Sequence, residues 1–213
     1  MPRYCLKVCG LTRAEDALMC AELGADWLGF IFHPASPRSV EPGLALGFET
    51  GAAKRVGVFV DQNPAEVNLL MTEARLDLAQ LHGNQSREFC RAVGPERVVK
   101  VFWPQRFPGP EEFGREMAEF SEAAAFFLLE AGTAGGGHGR PLDLGRLRGL
   151  APPRPWLLAG GLSAASVRPL AAEPPAGLFG FDFNSRVESA PGLKDRRLVM
   201  AAVQAVREKE VQR

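Results

Sequence analysis

The chain reads as an α/β protein, a single-domain (β/α)8 TIM barrel over residues 1–213, and three observations carry that reading. Short apolar runs alternate with amphipathic stretches of helical period eight times over. The connections between them are short, as parallel strands joined by crossover helices require. Ionisable residues or glycine pairs close several of the apolar runs, at the strand end where parallel barrels keep their chemistry. A doubly wound open sheet is the alternative, but it needs a topological switch and usually has fewer units.

The first unit is a strand over Tyr4–Cys9 and a helix over Arg13–Leu23. Thr12 is its expected N-cap, with Glu15 three residues on completing a capping box and Gly24 ending it. Strand Trp27–Phe32 leads through a proline-rich loop to a helix from about Gly43 to Thr50, and strand Arg55–Val60 to helix Pro64–Ala74. Strand Asp77–Leu81 runs through His82-Gly83 to helix Ser86–Val93. Strand Arg97–Phe102 is followed by a Pro/Gly loop and helix Glu111–Glu122, and strand Ala124–Leu129 by Glu130, a glycine-rich loop and a brief helix near Asp143–Leu150. Strand Pro155–Ala159 precedes Gly160-Gly161 and helix Ala164–Ala172. Strand Leu178–Phe183 precedes a loop over Asn184–Pro191 and a last helix from about Lys194 to Glu208.

The strand tips are Cys9, Phe32-His33, Asp61, His82, Glu130, Gly160-Gly161 and Asp182. Period-2 alternation puts Cys5, Lys7 and Cys9 on one side of the first strand, with Lys7 one layer below Cys9. An ammonium group there favours the thiolate and makes Cys9 a usable base or nucleophile near neutrality; a small apolar core residue is the plainer reading. Glu130 directly follows a strand buried on both faces. Burial is expected to raise its pKa and suit it to general acid work, unless it is simply salt-bridged to Lys7 or Lys100 inside the barrel mouth.

Ala159-Gly-Gly-Leu162 and Asp182-Phe-Asn-Ser185 end the seventh and eighth strands, where barrel enzymes commonly hold phosphate. Glycine lets backbone N–H groups approach an anion, and Asn184 and Ser185 add hydrogen-bonding side chains. Arg38, in a loop stiffened by proline, suits bidentate pairing with a substrate carboxylate, or else faces solvent. His82 either bonds substrate or orders its loop; His138 suits a lid, and His33 is read as structural.

With 25 basic and 25 acidic side chains the net charge is zero, which is no footprint for nucleic acid. Apolar runs are far shorter than a membrane span, and the first residues lack a signal-like core, so the expectation is a cytoplasmic protein. The four cysteines form no C-x-x-C pair and, with the three histidines, no metal-binding spacing.

Taken in order, Lys7-Val-Cys-Gly-Leu-Thr12, Gly24-Ala-Asp-Trp-Leu-Gly-Phe30, Ser36-Pro-Arg38, Val56-Gly-Val-Phe-Val60, Gln80-Leu-His-Gly83, Ala159-Gly-Gly-Leu162, Asp182-Phe-Asn-Ser185 and Val187-Glu-Ser-Ala-Pro-Gly-Leu-Lys-Asp195 resemble phosphoribosylanthranilate isomerases of tryptophan biosynthesis. The resemblance implies an Amadori rearrangement without metal or organic cofactor, on a small phosphorylated substrate and with no nucleic-acid or membrane partner; a homodimer is compatible with it. It implies Cys9 as general base and Glu130 as general acid, with Asp182 the fallback acid. It puts Arg38 near the anthranilate and the loops with Gly160, Gly161, Asn184 and Ser185 on the phosphate; His82 and Lys7 are expected to bind substrate from their places on the strands, and Arg186 either adds to the phosphate site or points to solvent. Three positions depart from the family pattern. Glu130 stands for the usual aspartate, His138 for a threonine, and Arg186 for a glycine, where an arginine would be strained if φ were positive. Rival readings are an indole-glycerol-phosphate synthase, which needs a strand-tip lysine, a metal-dependent epimerase, a thiol redox protein using Cys5 and Cys9, and a non-catalytic binding barrel.

Overall fold

A computed structural model describes residues 4–130 and 151–207. Eight parallel strands close a barrel in sequence order: β1 Cys5–Val8, β2 Trp27–Ile31, β3 Lys54–Phe59, β4 Leu78–Leu81, β5 Val98–Phe102, β6 Phe126–Glu130, β7 Trp156–Ala159 and β8 Leu178–Phe183. Closure is made by β1 on β8, with Lys7 in register with Asp182. The helices are α1 Ala14–Glu22, α2 Pro42–Leu46, α3 Pro64–Glu73, α4 Arg87–Val93, α5 Pro110–Glu119, α6 Ala164–Ala172 and α7 Arg196–Arg207. The helix expected near Asp143–Leu150, and His138, lie outside the described residues.

Strand alternation divides the core in two. Leu6, Val8, Leu28, Phe30, Val98, Phe102, Phe127 and Leu129 point outward into the layer beneath the helices. Cys5, Trp27, Val56, Leu78, Val99, Val101, Leu128 and Leu157 fill the barrel itself. At its lower end Trp27 meets Phe126 edge-on with ring centroids 5.0 Å apart, and Phe126 packs on Phe179 at 5.2 Å. These rings fill the lower end of the barrel.

Local expectations give way where a tertiary partner competes. Thr12 does not cap α1: Arg13 is the N-cap and makes no side-chain cap bond, while the Thr12 hydroxyl donates to the Gly192 carbonyl at 2.8 Å. The α2 helix is five residues, shorter than its apolar pattern suggested. After β8 a single 3-10 turn, Ser185–Val187, runs into an antiparallel hairpin, β9 Glu188–Ala190 with β10 Leu193–Lys194, where a loop and a helix start were expected. Lys194 is therefore a buried strand residue, and α7 begins two residues later.

Candidate active site

The open end of the barrel holds a cavity of about 390 Å³ lined by Cys9, Arg38, Gln80, His82, Glu130 and Asp182, together with Gly160, Gly161, Asn184 and Ser185. Residues from six separate strand ends meet there only because the sheet closes on itself.

Cys9 lies one residue beyond β1, its amide donating to the Phe183 carbonyl at 2.8 Å. A Cβ built on Gly29 of the neighbouring strand would sit 2.8 Å from the Cys9 sulfur and 3.0 Å from its Cα, so only glycine lets the thiol occupy this corner. Burial pushes the Cys9 thiol above its ordinary value. Lys7 pulls it down by charge and a hydrogen bond but does not reverse the shift, and Asp182 adds to the rise. The near-neutral thiolate expected from Lys7 alone is thus corrected: desolvation outweighs the ammonium.

Lys7 itself is completely buried and does not line the cavity. Its ammonium donates to Asp182 Oδ2 at 2.8 Å. Burial would lower the Lys7 pKa, but Asp182 and Cys9 raise it overall. A substrate contact expected of Lys7 is replaced by a charge set beneath the thiol. Asp182 is pushed up by burial despite this partner, and its Oδ1 is buried with no hydrogen-bond partner among the described residues.

Glu130 ends β6. Its Oε2 accepts from the Trp103 indole N–H at 2.9 Å and lies 3.1 Å from His82 Nε2. Burial pushes this carboxyl up, but the bonds from His82 and Trp103, the His82 charge and Lys7 together hold it below 4.5. The upward shift expected from burial is therefore overturned, because sequence alone reveals neither donor. The salt bridge to Lys100 is also absent. Val99 and Val101 of β5 and Trp103 just beyond it point inward, and Lys100 points outward, donating to the Gly83 carbonyl at 2.6 Å beside the Phe102 and Phe120 rings.

Arg38 lines the cavity and is gripped from behind by Glu188, with Nε to Oε1 at 3.0 Å and Nη2 to Oε2 at 2.7 Å. Glu188 also accepts from Lys194 at 2.7 Å, and Lys194 reaches Asn184 Oδ1 at 3.2 Å. The hairpin after β8 thus ties the arginine to the Asn184 loop. Glu188 and Lys194 stand within the last quoted family motif; their roles escaped sequence reasoning because partners so far apart in the chain show no local pattern. Trp103 was missed as well, although its place one residue past a strand was a usable signal.

Gly160 and Gly161 take φ of +96° and +64°, a turn open to side-chain-free backbone. Arg186 is exposed, lies in the right-handed 3-10 turn and does not line the cavity, so neither strain nor a cavity contact attends it. His33 pairs with exposed Asp61 at 3.2 Å. Among the described residues no group of three or more His, Cys, Asp or Glu is placed to hold a metal ion, and no helix is long and apolar enough to cross a membrane.

A closed parallel barrel that gathers a thiol, two carboxyls and an arginine at its C-terminal rim, with the glycine turn after β7 and the Asn184-Ser185 loop after β8 on the same cavity, has the form of a (β/α)8 enzyme. Residues 6–205 match the family model described as N-(5'phosphoribosyl)anthranilate (PRA) isomerase, and the chain belongs to that family. An N-(5'-phosphoribosyl)anthranilate isomerase of Maridesulfovibrio salexigens is 48% identical over 203 residues, covering 94% of this chain and 97% of that one. The phosphoribosyl anthranilate isomerase of Thermus thermophilus superposes with a TM-score of 0.78 at 35% identity, over 96% of this chain and 99% of its own. A phosphoribosyl anthranilate isomerase in complex with reduced 1-(o-carboxyphenylamino)-1-deoxyribulose 5-phosphate superposes at 0.82 with 28% identity, over the same shares.

Proposed function

We propose that this chain, one barrel domain over residues 1–213, is the isomerase of tryptophan biosynthesis that converts N-(5'-phosphoribosyl)anthranilate to 1-(o-carboxyphenylamino)-1-deoxyribulose 5-phosphate. The observation that carries the assignment of roles is that Cys9 and Glu130 line one cavity together with the glycine turn of β7 and the Asn184-Ser185 loop of β8. The reaction needs one proton donor and one acceptor. Glu130 protonates the ribose ring oxygen, the C1'–O bond breaks with its electrons going to oxygen, and the nitrogen lone pair forms an iminium. The Cys9 thiolate then removes the C2' proton, giving an enolamine that tautomerises to the ketone.

Gly160, Gly161, Asn184 and Ser185 receive the phosphate, and Arg38, aligned by Glu188, receives the anthranilate carboxylate in a bidentate pair. Binding energy at these two ends orients the reacting carbons between acid and base. A second reading gives the acid's role to Asp182, whose carboxyl is raised by burial and keeps Oδ1 unbonded among the described residues. The choice of Glu130 rests on its place at the end of β6, where the family resemblance puts the acid, and on the Lys7 ammonium that already occupies Asp182 Oδ2 at 2.8 Å.

Loss of substrate fluorescence, followed with wild type, Cys9→Ser, Glu130→Gln and Asp182→Asn, tests both readings. Each of the first two variants is expected to lose about 10²-fold or more in kcat. Normal turnover by Glu130→Gln with an inactive Asp182→Asn would transfer the acid's role to Asp182.

A further inference from the structure

Glu130 has a difficulty as an acid. Its carboxyl is ionised near neutrality, so it must be given a proton before it can donate one. We infer that His82, backed by Gln80, keeps Glu130 supplied with the proton it delivers to the sugar. This rests on the reading of Glu130 as the acid.

The geometry is a continuous line of polar atoms. Gln80 Nε2 lies 3.2 Å from His82 Nδ1, and His82 Nε2 lies 3.1 Å from Glu130 Oε2. An amide N–H donating to Nδ1 suits a ring that carries its proton on Nε2, facing the carboxylate. A doubly protonated ring needs an acceptor at Nδ1 instead, and a half-turn of the same amide supplies one. Gln80 Oε1 is buried without a partner among the described residues, so Gln80 serves either charge state of the ring.

His82 also stands between two spaces. It lines the Cys9–Glu130 cavity and a neighbouring cavity of about 600 Å³ whose wall includes exposed Asp61 and Asn84, a path by which water reaches the ring. The charges around it are Glu130 from β6, Asp182 from β8, Asp61 from the loop after β3, and Arg106 from the turn after β5, which stacks 3.9 Å over the Trp103 ring. Trp103 in turn meets the imidazole edge-on, with centroids 5.3 Å apart, and holds its plane toward Glu130.

The pair carries one mobile proton. As imidazolium and carboxylate it stores the charge; as imidazole and carboxylic acid it hands the proton to the ring oxygen as the C1'–O bond breaks. What remains is imidazole and carboxylate, and one proton from water restores the starting state. His82 acts through Glu130 and is a positioning and supplying residue, not one that touches the sugar.

The test is the pH profile of kcat/KM for His82→Gln, which keeps an N–H donor beside Glu130 but cannot store a proton, and for Gln80→Glu, which places a carboxylate on Nδ1. In His82→Gln one inflection of the bell is expected to move down by about one pH unit or more while the other, set by Cys9, holds. In Gln80→Glu the same inflection moves up. A uniform fall in rate with both inflections unmoved in either folded variant would overturn the inference, since a merely structural histidine changes height and not position. If Glu130→Gln retains wild-type activity, the acid reading itself fails; if it is inactive and the inflections stay fixed, only the supply role fails.

Discussion

A thiol must ionise before it can take a proton from carbon, and the corner that holds Cys9 is dry. Burial works against the thiolate, and Lys7 recovers only part of the loss. Alkylation of Cys9 by iodoacetamide should therefore be slow at neutral pH and accelerate only above the ordinary thiol value of 9.0, whereas Lys7→Met should slow it further at every pH. Removing Lys7 also leaves Asp182 as an unpaired buried charge, so this variant should lose about 3–5 kcal/mol of stability by urea unfolding. The acid is tuned in the opposite sense by donors. Trp103→Phe deletes one of them while keeping an aromatic ring, and the Glu130 carboxyl carbon signal, followed by NMR through a pH titration, should then titrate at higher pH than in wild type. An unmoved titration would show that the indole N–H does not tune the acid.

At the scale of elements, two features hold the site in shape. The first is the contact of β1 with β2, where Gly29 makes room for the thiol. Gly29→Ala places a methyl group against the Cys9 sulfur and backbone, and kcat should fall about tenfold or more while the unfolding midpoint changes less; a normal kcat would show that the thiol has slack. The second is the β9–β10 hairpin, whose Glu188 bridges Arg38 and Lys194. Burial pushes Glu188 up, but these two cations outweigh it and hold its carboxyl below 4.5. A carboxyl depressed by folding contributes stability that is present above 4.5 and lost as pH falls through the lower folded value. Urea midpoints measured from pH 7 down to pH 3 should fall less steeply for Glu188→Gln than for wild type, from a lower starting point. In sequence that stretch has the pattern of a loop and a helix start, because a two-residue strand leaves no periodic signal and its pairing is set by β8 and α7 on either side.

For the whole molecule the outward face of the barrel matters as much as the mouth. Lys100 carries its ammonium beneath α4 and α5, and burial lowers it to about 8. Between about 8 and 10.5 the unfolded chain binds this proton and the folded one does not, so the contribution of Lys100 to stability rises with pH across that window, against the opposite contribution of the buried cysteines above 9.0. Lys100→Met should unfold at higher temperature than wild type at pH 7, and the gap should narrow as pH rises from about 8 to 10.5; a gap that does not change with pH would show that Lys100 does not carry this titration.

The sequence by itself determined the eight strands and, among the described residues, the helices that alternate with them, the rim positions of Cys9, Glu130 and Asp182, and the glycine turn of β7, because periodicity, turn residues and strand ends are local properties written in adjacent residues. Only the tertiary structure decided which side of β5 Lys100 takes, that Lys7 serves Asp182, that Thr12 abandons its helix for Gly192, and that Glu130 is held ionised by His82 and Trp103. Those outcomes depend on strand parity and on partners brought together when β1 pairs with β8, and a hydrogen bond or a buried charge has no energy to assign until the barrel closes and water is gone.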